Sequence, residues 1–206
     1  MKIIGEGAEA KIYQGRFLGF DTIVKDRIKK RYRIDLIDNA LRKQRTKREA
    51  KILYMAATNG LMVPSVLFVG DTTLIIKKID GVGLHEIINE NTIGESKYRD
   101  LLFLAGRYAG IMHNLNIAHG DYTPANMMLD KSNRLWIIDF GLSEITSSIE
   151  EKALDLLLMK RAIPKSLFEN FLKGYRTECK DADKTIARLA EIEKRGRYQT
   201  RTLLTT

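Results

Sequence analysis

At 206 residues, the chain is one domain or two small lobes sharing a core, long enough to fold without disulfide or metal staples. Hydrophobic residues make up 44% and charged residues 30%, a globular balance that excludes a wholly disordered or low-complexity chain. The 35 Lys and Arg outnumber the 26 Asp and Glu, for a net charge of +9, so anionic partners are expected.

That excess is local. Residues 25–51 carry 12 basic and 4 acidic side chains, a net of +8, and residues 184–201 carry 6 and 2, a net of +4, which leaves −3 on the remainder. The single cysteine, Cys179, excludes an intrachain disulfide and a cysteine-based zinc site and fits a reducing compartment. No apolar run approaches the roughly 20 residues of a membrane-spanning helix, and the opening Met1-Lys2-Ile3-Ile4 lacks the apolar stretch of a signal peptide. The expectation is a cytoplasmic protein, neither secreted nor inserted in a membrane.

Over residues 3–28, apolar runs between the turns Gly5-Glu6-Gly7 and Gly19-Phe20-Asp21 predict three short antiparallel strands. Ile37, Leu41, Ala50, Ile52, Leu53 and Met55 then predict helix up to Gly60. Within it, Thr46-Lys47-Arg48-Glu49 fits a capping box, which leaves open two helices in place of one. Residues 63–69 and 74–79, either side of Gly70-Asp71, read as a second hairpin, and Gly81 and Gly83 mark a lobe boundary. Leu101, Leu104, Ala105, Tyr108, Ile111, Met112 and Leu115 recur at helical spacing just before His119. Two short strands at 127–129 and 135–138 follow, with Trp136 expected in the core, and from Glu150 onward three helical segments complete the chain.

Gly5-Glu6-Gly7-Ala8-Glu9-Ala10 alone is a weak signal, since two glycines near an N-terminus commonly make only a hairpin turn. A glycine-rich hairpin can also bring backbone N–H groups up to phosphate oxygens with no Cβ in the way. Its company decides its weight. His119-Gly120-Asp121-Tyr122-Thr123-Pro124-Ala125-Asn126 is followed, thirteen residues after Asn126, by Asp139 in Ile138-Asp139-Phe140-Gly141. Phosphoryl transfer needs an acceptor to orient the attacking oxygen and oxygen ligands to hold Mg²⁺ against the β and γ phosphates. Asp121 supplies the first, Asn126 and Asp139 the second. Lys25 is placed to reach the α and β phosphates, with Lys29 and Lys30 as rivals, and Glu49 on the following helix to pair with it, a simple capping role being the alternative.

The set resembles a eukaryotic-like protein kinase core over nearly the whole chain. The variations narrow the resemblance: His-Gly-Asp in place of His-Arg-Asp, Thr123 where serine/threonine kinases carry a lysine, and only eight residues between Gly141 and Glu150. With Glu150-Glu151-Lys152-Ala153-Leu154-Asp155-Leu156 and the tail Lys194-Arg195-Gly196-Arg197, the chain is similar to the PRPK-type small atypical kinases and ATPases of the KEOPS complex, which acts in threonylcarbamoyladenosine modification of tRNA. The resemblance implies an α+β, two-lobed kinase-like fold with an N-lobe at 1–80 and a reduced helical C-lobe at 81–206. It implies ATP and Mg²⁺ as cofactors, with adenine recognised by the backbone at Lys77 and Ile79. It also implies the other KEOPS subunits as partners, notably the tRNA threonylcarbamoyltransferase subunit. Two departures stand out. Lys77 and Lys78 occupy hinge positions where the family tends to have an acidic and an aromatic or aliphatic residue, and Tyr198-Gln199-Thr200 interrupts the basic tail.

His119 is expected to brace the catalytic loop, and His85 and His113 to be helix residues without a ligand role. The density of charge in residues 25–51, with Arg195, Arg197 and Arg201 in the tail, fits either a solvated face or a surface for tRNA or an acidic partner. The rival functions are a RIO-like ribosome-assembly kinase, a small-molecule phosphotransferase and a pseudokinase scaffold. The residues after Gly141 speak against the first, the short C-terminal region against the second, and the intact catalytic set against the third.

Overall fold

The computed structural model describes residues 1–7, 9–90 and 93–203, without the side chains of Asn89 and of residues 196–203. In chain order come β1 (Lys2–Glu6), β2 (Ala10–Phe17), β3 (Phe20–Arg27), α1 (Asp35–Thr58), β4 (Val66–Val69), β5 (Thr73–Lys77), β6 (Gly81–Gly83), α2 (Leu84–Asn89) and α3 (Glu95–Asn114). They are followed by β7 (Ile117–Ala118), a 3₁₀ turn (Pro124–Asn126), β8 (Met127–Asp130), β9 (Leu135–Ile137), β10 (Glu144–Ile145), α4 (Ile149–Ala162), α5 (Lys165–Glu178) and α6 (Ala182–Leu203). The chain divides into two compact units, residues 1–82 with 128–141, and residues 83–127 with those from 142 onward.

In the first unit β1 to β5 form one antiparallel sheet in the order β1-β2-β3-β5-β4. α1 covers it with Ile52, Leu53 and Ala56 buried, while Lys43, Lys47, Lys51 and Tyr54 recur on its exposed side, the division that a 3.6-residue period produces. α1 is one helix, not two. Both members of the expected capping box have other partners: the Thr46 hydroxyl donates to the Arg42 carbonyl one turn back at 2.9 Å, and Glu49 accepts from Lys25 and Arg27 on β3.

Residues 128–141 cluster with this first unit, whereas the sequence reading ran its second lobe unbroken from residue 81. The Ile137 N–H donates to the Met62 carbonyl at 2.9 Å, and the backbone of Gly81 lies so near β8 that a Cβ there would stand 2.6 Å from the Leu129 carbonyl oxygen. Trp136 is not a core residue. Leu135 and Ile137 take the buried face of β9, and the two-residue period of a strand turns Trp136 to the other. There its indole N–H donates to Asp130 at 2.8 Å and the Arg134 guanidinium sits 5.5 Å over its ring. Partial burial works against ionisation of Asp130, but donors from Arg134, Trp136 and Ser132 overcome it and hold the carboxyl down to about 2.

The second unit is helical apart from a two-stranded β7–β10 pair, whose strands of two residues each are too short to leave a periodic trace in the sequence. α5 buries Leu167, Phe168, Phe171, Leu172 and Tyr175. α3 and α5 touch backbone to backbone: a Cβ at Gly106 would stand 2.0 Å from the Phe171 carbonyl oxygen, and one at Gly174 1.9 Å from that of Phe103. No methyl fits at either place unless the helices separate. Gly174→Ala is therefore expected to lower the unfolding free energy by about 3 kcal/mol, the upper part of the usual overpacking range. Urea denaturation measures it, and a loss below about 0.5 kcal/mol, the scatter of neutral surface substitutions, would refute the close approach.

Candidate active site

The first unit supplies a charged cluster beside an apolar cavity. Lys25 is on β3, and its Nζ lies 2.7 Å from Oε1 of Glu49 on α1 and 2.7 Å from Oδ1 of Asp139, just beyond β9. Arg27 holds the other Glu49 oxygen, Nη2 to Oε2 at 2.6 Å. Glu49 is buried and Lys25 nearly so, whereas the Asp139 side chain is 57% exposed. Burial disfavours the Lys25 ammonium, but Glu49 and Asp139 more than offset it, so the amine is held above its ordinary value. The folded protein thus binds that proton more tightly than the unfolded chain. The resulting stabilisation is intact below the unfolded value of about 10.4 and is lost as pH rises through the raised one.

Asp139 adopts φ +59°, an uncommon backbone state for a residue with a side chain and one that clusters at functional sites. Its Oδ1 also accepts the Gly141 N–H at 3.3 Å. The cavity, about 340 Å³, is walled by Ile4, Ile12, Ile23, Ile76, Ile79, Met128 and Ile138, with Lys25, Lys77, Lys78 and Asp139 also lining it. The hairpin Gly5 to Ala10 closes on a Gly7 N–H to Ala10 carbonyl bond of 3.0 Å. Within it Glu9 is tied to Arg45 of α1, a bond that, against some burial, sets its carboxyl below the usual range. Ala8 lies outside the described residues. Of the rival lysines, Lys29 pairs with Asp35 at 2.8 Å and is exposed, and Lys30, beyond β3, donates its backbone N–H to Asp38. Neither lines the cavity.

The second unit holds the His-Gly-Asp loop. Asn126 donates from Nδ2 to the Asp121 carbonyl and to Oδ2 of its carboxylate, each at 2.8 Å, so this pair is brought together. Asp121 donates its N–H to Nδ1 of His119 at 3.3 Å, the bracing expected of that histidine. The loop hangs on Asp155 of α4, a residue the sequence reading did not single out. Its Oδ2 accepts the His119 N–H at 2.7 Å and its Oδ1 the Gly120 N–H at 2.9 Å. His113 links Asp155 to Tyr175, at 3.2 and 2.8 Å. Gly120 has φ +79°, and a Cβ there would stand 2.7 Å from the Leu142 carbonyl oxygen, which excludes the arginine of the commoner His-Arg-Asp form. Residues 142–148 make only β10 and the N-cap of α4, where the Ser148 hydroxyl accepts the Glu151 N–H.

The RIO domain family model matches residues 5–182. The KEOPS complex subunit Bud32 of Pyrococcus abyssi is 42% identical over the full length of both chains. The chain belongs to the Bud32 family of RIO-domain proteins. A probable bifunctional tRNA threonylcarbamoyladenosine biosynthesis protein of Methanobrevibacter smithii is 36% identical over 95% of the chain, which spans only 36% of that longer protein. Among solved structures, the Rio2 kinase from Chaetomium thermophilum, in an ADP/Mg²⁺-phosphoaspartate complex, superposes with a TM-score of 0.59 at 16% identity, covering 96% of this chain and 72% of that one. That likeness shows an α+β, kinase-like fold. The sequence reading set this chain apart from RIO-type ribosome-assembly kinases. The family match places this chain itself within the RIO domain family.

Asp155 carries the loop on one buried and one part-buried hydrogen bond, and a buried donor left unsatisfied costs about 1–3 kcal/mol. Asp155→Ala is expected to lose about 3 kcal/mol or more in urea denaturation, and Asp155→Asn less, since its amide keeps one acceptor. Wild-type stability in the alanine variant would mean that the loop does not depend on this carboxylate.

Proposed function

We propose that the protein is an ATP-dependent phosphotransferase and ATPase of the serine/threonine kinase type, acting in the cytoplasm within the KEOPS complex in threonylcarbamoyladenosine modification of tRNA. The observation that carries the phosphotransferase reading is the Lys25 ammonium held by Glu49 and Asp139 at the mouth of an apolar cavity. The names of the relatives support the KEOPS and tRNA assignment.

The residues fit ATP. Isoleucine and methionine walls suit a planar base, and Lys77 and Ile79, the residues expected to meet it through the backbone, line the same cavity. A Cβ at Gly5 or Gly7 would meet nothing nearer than 3.7 Å. The fold itself therefore does not require those glycines, which suits an approach by phosphate oxygens. Among the described residues no three His, Cys, Asp or Glu side chains converge on a metal position. Mg²⁺ needs no such cage, because it binds through one or two protein oxygens and completes its shell with phosphates and water. Asp139 and Asn126 would hold it.

Bound Mg²⁺-ATP supplies the transferable phosphoryl group and the neutralisation of its charge. Lys25 orients the α and β phosphates. Asp121 accepts the proton of the attacking hydroxyl or water, and its bond from Asn126 fixes the direction of the carboxylate. Thr123 brings no cation, so turnover is slow. The short stretch 142–148 offers no platform for an extended peptide, so generic peptides are poor acceptors.

Asp139→Ala is expected to abolish Mg²⁺-ATP turnover, whereas Asp121→Asn keeps nucleotide affinity and slows turnover by about 10² to 10⁴, the range of a lost general base. Calorimetric ATP binding beside phosphate release separates the two. Normal turnover in Asp139→Ala, or an affinity loss in Asp121→Asn as large as its rate loss, would overturn these roles.

Much of the basic run at 25–51 is consumed inside the first unit. Lys25 and Arg27 meet Glu49, Lys29 meets Asp35, Arg33 and Arg42 meet Asp38, Lys43 meets Asp71 and Arg45 meets Glu9. Of the other five, Lys47 and Lys51 lie on the exposed side of α1 at helical spacing from the exposed Tyr54, cations with an aromatic neighbour that suit a phosphate backbone and an unstacked base. In the tail Arg195 faces Glu150, while the side chains of Arg197 and Arg201 lie outside the described residues. We assign the tRNA contact to Lys47, Lys51 and Tyr54. The double variant Lys47→Glu, Lys51→Glu is expected to reduce the log–log salt slope of tRNA binding by about 2, at roughly 0.9 per duplex phosphate contact, with ATP affinity unchanged. Titrations of labelled tRNA at several salt concentrations measure it, and equal slopes in both proteins would remove this face from the tRNA surface.

A further inference from the structure

Glu49 carries a second cation that the chemistry above does not use. Arg27 follows Lys25 by two residues on β3, so the strand period sends both side chains to the same face and both reach one α1 carboxylate. Arg27 takes Oε2 at 2.6 Å and Lys25 takes Oε1 at 2.7 Å. The pair is dry, with Arg27 6% and Glu49 2% exposed.

The backbone of Arg27 is pinned on both sides, its N–H on the Thr72 carbonyl at 3.0 Å and its carbonyl under Nη1 of Arg42 at 3.2 Å. The guanidinium is also near enough to Glu9 to add to the larger effect of Arg45 on that carboxyl. Arg27 is thus a fixed charge between the glycine hairpin and α1. Lys25 divides its ammonium between Glu49 and Asp139. Two cations and two carboxylates make a balanced cluster.

The balance matters when Lys25 turns to a nucleotide. A carboxylate as buried as Glu49 is strongly penalised if it loses its only cation. With Lys25 alone, Glu49 would compete with the phosphates for the ammonium. With Arg27 in place, Glu49 remains neutralised and hydrogen-bonded whichever way Lys25 points.

We propose that Arg27 is a positioning residue that keeps Glu49 satisfied and so releases the Lys25 ammonium to the phosphates of a bound nucleotide. This rests on the reading of Lys25 as the phosphate-binding lysine.

The test uses the full chain, with Mg²⁺-ATP as the probe, calorimetric Kd and steady-state turnover as readouts, and a melting curve to establish that each variant is folded. Arg27→Met and Arg27→Gln are expected to raise Kd and KM for ATP about tenfold, as one charge-assisted hydrogen bond warrants, while kcat changes by less than about threefold on the same scale. Arg27→Gln keeps a donor for Glu49 and carries the test if the methionine variant does not fold. Arg27→Lys is expected to restore Kd to within about threefold of the wild type, since a cation returns to Oε2. In a Glu49→Gln background, Arg27→Met should add no further change in Kd, because residues acting through one group are not additive. Unchanged Kd in both neutral variants, a loss confined to kcat in proportion to unfolded protein, or full additivity with Glu49→Gln would each overturn the proposal. Lys25→Met separates the two readings. If it leaves ATP affinity intact, the role of Lys25 fails and that of Arg27 with it. If it abolishes binding while the Arg27 variants bind normally, only Arg27 is misassigned.

Discussion

A carboxylate taken out of water must be surrounded by donors, because its uncompensated burial costs several kcal/mol or more. Each unit of this protein holds one such group. In the first it is Glu49, which fixes α1 against β3 through Lys25 and Arg27. In the second it is Asp155, 1% exposed, which gathers two loop N–H groups and His113. Neither carboxylate can move without stranding a charge, so the α1–β3 contact and the His-Gly-Asp loop are each held by electrostatics. More exposed carboxylates stand close by, Asp139 beside Lys25 in the first unit and Asp121 beside Asn126 in the second, and these are the ones proposed for the chemistry.

Backbone geometry contributes a second kind of constraint. Asp139 is held at φ +59°, where a β-carbon is crowded, and Gly120 sits at φ +79° against the Leu142 carbonyl. One position bears the strain with a side chain whose Oδ1 accepts from Lys25 and from the Gly141 N–H, and the other avoids it by carrying no side chain at all. The α3–α5 contact follows the same logic on a larger scale. Gly106 and Gly174 let two helix backbones touch, which steadies the helix pair under Tyr122, whose hydroxyl reaches the Ala105 carbonyl at 2.7 Å.

The strands of the first unit were legible because alternation and glycine turns are local, and the kinase-like family because the residue types and spacing around Asp121, Asn126 and Asp139 are specific. What escaped depends on partners distant in sequence. Glu49 was expected to meet Lys25, with a capping box beside Thr46 as the alternative, but nothing in the helix itself reveals that Arg27 will claim its second oxygen. Trp136 looked like core because hydrophobicity does not tell which side of a short strand is covered. Asp155 in a charged helical stretch resembled any solvated acid, although Asp155 and the His-Gly pair have matching donors and acceptors. Arg27 did leave a trace, a cation two residues from Lys25 on one strand face, but its meaning required Glu49 to be in place. The net of +8 on the basic run already subtracts Asp35 and Asp38, but it cannot show that Asp71 and Glu9, distant in sequence, take Lys43 and Arg45 as well.

Cys179 ends α5, 8% exposed, with its thiol donating to the Tyr175 hydroxyl at 3.1 Å. That hydroxyl leads through His113 to Asp155 and so to the His-Gly-Asp loop. The sequence contains no other thiol, so the protein carries a single built-in clock for the opening of this chain of bonds. When reclosing outpaces modification, the rate at which a thiol reagent labels native protein is the intrinsic rate scaled by the equilibrium population of the open state. A labelling time course then reads the free energy that holds the loop's support together, with no probe added to the molecule.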